Sequence, residues 1–153
     1  MLRARLTTEM KEAMKAGEKA KLATIRMIQA ALKDKDIEAR GLGKEPASDD
    51  EILALLQKMI KQRNESAAVY EQGGRPELAE NERAEIAVIE TYLPKQMDEV
   101  ETQAAIDAAI AEAGAAGPKD MGKVIAILKG TYAGRMDFAK ASGLVKAALN
   151  AKA

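Results

Sequence analysis

Between Ser48 and Tyr70 the chain repeats apolar residues at the spacing of an α-helix for about five turns, which makes this the clearest helix in the chain. Ile52, Leu55, Leu56, Met59, Ile60, Ala67 and Tyr70 fall on one face. Ser48 followed by Glu51 forms a capping-box pattern, in which each side chain can satisfy the other's free backbone N–H. Arg63 interrupts the stripe. It is expected to lay its stem along the core edge or to pair with an acidic residue of a neighbouring helix.

The same period recurs on both sides. Leu2, Leu6, Met10, Ala13 and Met14 mark a helix ending near Gly17, and Leu22, Ile25, Ile28 and Leu32 mark a longer one running toward Ala39, so the two make a helical hairpin. A glycine- and proline-bearing loop covers 41–47. Gly73-Gly74 stops the long helix, and Pro76 suits the first turn of the next, whose stripe is Leu78, Glu82, Ile86, Ile89 and Leu93. Glu82 breaks that stripe much as Arg63 breaks its neighbour, and an Arg63–Glu82 pair is the expected consequence. Pro94 ends the run, and Asp98 with Glu101 opens an alanine-rich helix over 98–114. Nothing reads as a strand. With aromatics at only 3%, the core is built from Ala, Leu, Ile, Val and Met, which favours helices. The expected fold is all-α: a domain of about four helices over 1–95, then a three-helix domain over 96–153.

The last stretch says most about function. Met121, Val124, Ile125 and Leu128 form one face of a short helix that Gly130 is expected to stop. Gly134-Arg135-Met136-Asp137 turns the corner, with Asp137 as N-cap of a final helix carrying Phe138, Ala141, Val145, Ala148 and Leu149. Net charge is zero overall, but residues 1–44 and 119–153 each carry +5, while 45–95 and 96–118 each carry −5. Local basic surfaces are therefore possible where a global field is not.

The sequences Asp120-Met121-Gly122-Lys123-Val124, Gly134-Arg135-Met136-Asp137 and Leu144-Val145-Lys146 together resemble the tail module of the GatB/YqeY family. That module closes the B subunit of the glutamyl/aspartyl-tRNA amidotransferase and also occurs in small stand-alone proteins. The front of the chain resembles the stand-alone type through Leu22-Ala23-Thr24-Ile25-Arg26-Met27-Ile28, Lys61-Gln62-Arg63 and Tyr92-Leu93-Pro94. At the corner, Met136 stands where the family usually has a small residue. The resemblance implies an association with tRNA or with a tRNA-charging or amidotransferase complex. It also implies carbon–nitrogen ligase activity with glutamine as amido donor, although in the amidotransferase that chemistry belongs to a catalytic domain and a further subunit with no counterpart here.

The residues themselves offer no catalyst. There is no cysteine and no histidine, which removes thiol and imidazole chemistry and the usual zinc ligand sets. The three serines, Ser48, Ser66 and Ser142, lie at a cap or within helices. No phosphate-cradling loop follows a strand. Glu77, Glu80, Glu82 and Glu85 sit at spacings that suit a solvated face. No catalytic residue, cofactor or metal is expected. The expected function is contact with an RNA backbone through Lys119, Lys123, Lys129, Arg135, Lys140 and Lys146, with a helical protein–protein adaptor as the alternative. Only four aromatic residues are present, so recognition of a folded RNA by shape is favoured over base stacking. No apolar run reaches the roughly 20 residues that span a bilayer, and Met1-Leu2-Arg3-Ala4-Arg5 lacks a signal-peptide core, so no membrane partner and a cytoplasmic location are expected.

Overall fold

The computed structural model describes residues 1–152. Among them the protein is all-α, with α1 (Leu2–Ala16), α2 (Lys19–Gly41), α3 (Asp49–Gln72), α4 (Pro76–Glu90), α5 (Glu99–Ala113), α6 (Met121–Tyr132) and α7 (Phe138–Lys152). A single 3-10 turn, Pro118–Asp120, precedes α6. The contacts divide the chain into two compact units, Met1–Leu93 and Pro94–Ala153.

In the first unit, α1 and α2 are joined at Gly17, whose φ of 71° is a left-handed conformation that side-chain-bearing residues rarely adopt. The Ser48–Glu51 capping box opens α3. The Ser48 Oγ accepts the Glu51 N–H at 3.2 Å, and the Glu51 carboxylate accepts the Ser48 N–H at 3.3 Å. Leu6, Ile25, Ile28, Ile52, Leu56 and Ile89 are fully buried and bring all four helices onto one core. Tyr92 closes that core beside Arg5, whose guanidinium lies 4.6 Å from the ring centre. The same guanidinium donates to Glu9 and to the Thr91 carbonyl, both at 2.7 Å, which ties α1 to the end of α4. The Tyr92 hydroxyl is buried, and this burial, with Glu9 nearby, pushes its pKa up to about 12.

Arg63 does pair across to α4, but with Glu85 rather than Glu82: its Nε lies 2.9 Å from the Glu85 carboxylate. Its Nη1 also donates to the Met59 carbonyl at 3.2 Å. Glu82 and Glu85 are three residues apart on α4, so both lie near the same flank, and the sliding of α4 along α3 decides between them.

A second ion pair organises the approach to α3. Arg3 grips Asp36 with two bonds of 2.7 and 2.8 Å and donates to the Ala47 carbonyl at 2.9 Å. The Asp36 carboxylate accepts the Ala47 N–H at 2.9 Å. The Arg3 bonds first, and the Ala47 N–H second, hold the Asp36 pKa down to about 2 from an ordinary 3.8. Because the folded pKa is depressed, this contribution is fully present above pH 4 and is lost as the pH falls from about 4 to about 2. With the Arg3 side chain 41% exposed, solvent screening reduces it to about 1 kcal/mol. Acid titration of unfolding free energy should show this loss in the native sequence, and Asp36→Asn should flatten that part of the profile. An identical profile in the variant would contradict the assignment.

In the second unit, α5 begins with the Asp98–Glu101 capping box, and α6 lies against both α5 and α7. Glu99 and Lys140 meet near the start of α5 and α7, while Ile110 and Ala111 share a depression with Ala148 and Lys152 near their ends, so these two helices run in the same direction. The buried faces Ala105/Ile106/Ala109/Ile110, Val124/Leu128 and Ala141/Val145/Leu149 interlock. Small alanines on α5 let the other helices approach closely. One expectation is corrected: Gly130 does not stop α6, which continues to Tyr132. Intrahelical bonds and the packing of Leu128 outweigh the cost of about 1 kcal/mol that an interior glycine imposes.

Candidate nucleic-acid interface

Asp137 sets the geometry of the basic corner. Its Oδ1 accepts the N–H groups of Ala139 and Lys140 at 3.1 and 3.2 Å, which starts α7. Gly134, with φ 79°, and the buried Met136 make the turn between α6 and α7. Met136 is 1% exposed and packs into the core of the second unit, so the larger residue anchors the corner from inside.

The six basic residues expected to contact a backbone divide into two groups. Arg135 and Lys140 each have a partner within their own unit. Arg135 Nε donates to the Lys95 carbonyl at 3.1 Å, and its Nη2 lies 4.0 Å from Glu101. The Arg135 carbonyl accepts the Met97 N–H at 2.9 Å, and Gln96 donates to the Gly134 carbonyl at 2.6 Å. Arg135 therefore fastens the segment before α5 to the corner. Sequence offered no signal of this, because Lys95 lies forty residues away and contributes only its backbone. Lys140 Nζ is 3.4 Å from Glu99, an exposed pair of small energetic weight.

Lys119, Lys123, Lys129 and Lys146 are exposed and have no carboxylate within ion-pair distance among the described residues. Lys119 and Lys123 flank Asp120, whose pKa is lowered chiefly by the Ala116 N–H it accepts at 3.0 Å, with smaller help from the two lysine charges. Lys123 and Lys129 stand on α6 about 120° apart around the axis, and Lys140 and Lys146 are related in the same way on α7. Each helix thus presents positive charge on two sides of its exposed surface rather than along one line.

No group of three or more His, Cys, Asp or Glu that could hold a metal exists among the described residues. No described helix is long and apolar enough to cross a membrane. The other carboxylate and phenol with displaced pKa values, Asp36 and Tyr92, belong to the packing contacts of the first unit.

A family model described as "Yqey-like protein" matches residues 3–149. Among curated proteins, the chain is similar to "Altered inheritance of mitochondria protein 41, mitochondrial" from several organisms. The Eremothecium gossypii protein is 31% identical over 90 residues, covering 59% of this chain and 48% of the relative. That of Pyrenophora tritici-repentis is 34% identical over 88 residues, covering 58% and 46%. That of Lachancea thermotolerans is 32% identical over 107 residues, covering 70% and 54%. The chain spans about half the length of the curated relatives it matches. These relatives are named as mitochondrial proteins, which overturns the cytoplasmic expectation. The absence of an apolar span or signal core does not bear on that choice, because mitochondrial targeting segments are amphipathic and arginine-rich instead.

Proposed function

The chain belongs to the YqeY-like family, and from that premise we propose that it is a non-catalytic accessory protein whose C-terminal unit contacts the backbone of a folded RNA, tRNA being the candidate. One observation carries this reading: Lys119, Lys123, Lys129 and Lys146 are exposed and have no ion-pair partner among the described residues, while Glu99 and Glu101 lie beside Lys140 and Arg135. An unmatched set of exposed cations is suited to phosphates, which need charge and position but no pocket. Arg135 acts in this reading as a positioning residue that holds the corner.

The ligase activity implied by the resemblance is not carried further. Neither the family description nor the relatives' names mention it, and the chain has no cysteine thiol and no histidine imidazole to serve such chemistry. The adaptor alternative needs a contiguous apolar surface, and the exposed large apolar residues are spread over Met14 of α1, Met27 and Ile37 of α2 with Leu42 at its end, Val69 of α3 and Val100 of α5.

Filter-binding titration of the full chain against tRNA at low salt tests the reading. The triple variant Lys123→Gln/Lys129→Gln/Lys146→Gln should bind at least tenfold more weakly with an unchanged circular dichroism spectrum. It should also lower the magnitude of the salt slope by about 2 to 3. Equal affinity of variant and native chain would remove these residues from the interface.

A further inference from the structure

The outer face of α2 carries a feature that the reading above does not use. Lys19, Arg26, Lys33 and Arg40 recur at seven-residue intervals, and all four are exposed. Seven residues fall about 20° short of two full turns, so the four cations form a nearly straight row about 31 Å long, with neighbours about 10 Å apart along the axis. The row begins opposite Ile28 and drifts toward one edge of the buried face by Arg40, with Lys19 bordering a groove against α4 and Lys33 one against α1. None of the four has an ion-pair partner among the described residues.

The acids of α2 are turned elsewhere. Asp36 is held by Arg3 and the Ala47 N–H, while Asp34 and Glu38 line the cleft toward α3 with Glu51 and Lys58. At the start of α2, the N-cap Glu18 lies 4.0 Å from Lys21, which leaves Lys19 as the cation there without an ion-pair partner among the described residues.

We propose that this row is a second phosphate-backbone site, on the first unit, through which the protein grips a folded RNA at four further phosphates. The proposal rests on the RNA reading of the C-terminal unit but assigns residues which that reading leaves out. Between the cations the seam holds only Ala23, Ala30 and, at its far end, Ile37. A protein helix laid there would bury little apolar surface, and protein interfaces depend on a desolvated apolar centre. A polyanion backbone needs no such centre, because its binding is driven by counterion release.

The test is salt-dependent binding of the full chain to tRNA, with polyglutamate of matched charge as the competing polyanion. Lys19→Gln/Arg26→Gln/Lys33→Gln/Arg40→Gln removes the row at exposed positions where glutamine favours helix, and Arg26→Gln/Lys33→Gln serves if the quadruple variant does not fold. The quadruple variant should lower the magnitude of the log–log salt slope by about 3, and the pair by about half as much. The charge-preserving swap Lys19→Arg/Arg26→Lys/Lys33→Arg/Arg40→Lys should retain the native slope. An unchanged slope in the charge-removed variants, with loss confined to the Lys123/Lys129/Lys146 variant, overturns the row and leaves the C-terminal reading standing. Loss confined to the row supports it and overturns the C-terminal assignment. Absence of tRNA binding by the native chain overturns both, and tighter binding of polyglutamate than of tRNA overturns the RNA assignment of the row.

Discussion

Replacing Leu128 by alanine is expected to destabilise the C-terminal unit by about 3 kcal/mol. Leu128 is fully buried on α6, the helix that packs against both α5 and α7, and it shares its core with Ile106, Val124, Val145 and Leu149. Truncation removes apolar burial and leaves a cavity that three helices of fixed length cannot readily close. For a unit of this size the loss corresponds to a fall in midpoint of roughly 24 °C. Thermal unfolding followed by circular dichroism reads it directly, and tRNA affinity should fall with the same midpoint because Lys123 and Lys129 ride on α6. A loss below about 1 kcal/mol would mean that Leu128 is not the centre of this core.

Arg63→Ala is expected to cost about 2 kcal/mol. The arginine side chain is 14% exposed and Glu85 is 30% exposed, so removing the cation strands a carboxylate that water reaches only in part. The cost stays below that of a fully buried pair because Glu85 keeps some solvation. A double-mutant cycle separates the two candidate partners. Arg63 with Glu85 should show a coupling of about 1 kcal/mol, whereas Arg63 with Glu82 should be additive within error. Coupling to Glu82 instead would mean that α4 is displaced along α3 by one turn.

This shift of three residues shows where the sequence stops being informative. The apolar stripes, the caps at Ser48 and Asp98 and the N-cap at Asp137 are local devices, written within a few residues, and the helices follow from them. The choice of Glu85 over Glu82 depends on the register between two helices, which several apolar stripes of equal period satisfy. The Arg3–Asp36–Ala47 fastening joins positions 33 and 44 residues apart, and nothing near any of them announces the others. Gly130 was misleading because a glycine is a stop only where no packing carries the helix through it.

The candidate interface was legible as charge but not as geometry. The +5 of residues 119–153 is plain in the sequence, yet the sequence does not separate Arg135 and Lys140, which serve their own unit, from the four lysines left unmatched. That separation needs the carbonyl of Lys95 and the carboxylates of Glu99 and Glu101 in place. The row on α2 was equally present in the sequence, but its meaning depends on which face of α2 is buried and on where Asp34, Asp36 and Glu38 turn.

The central claim is that the protein holds a folded RNA by its backbone through unmatched cations and performs no chemistry of its own. The dependence of tRNA affinity on salt, measured for the full native chain between 50 and 200 mM, addresses it most directly. The account predicts a linear fall of log affinity against log salt with a slope of about −3 or steeper, as the release of counterions from four or more phosphates requires. A flat dependence, or no tRNA binding at the lowest salt, would contradict it.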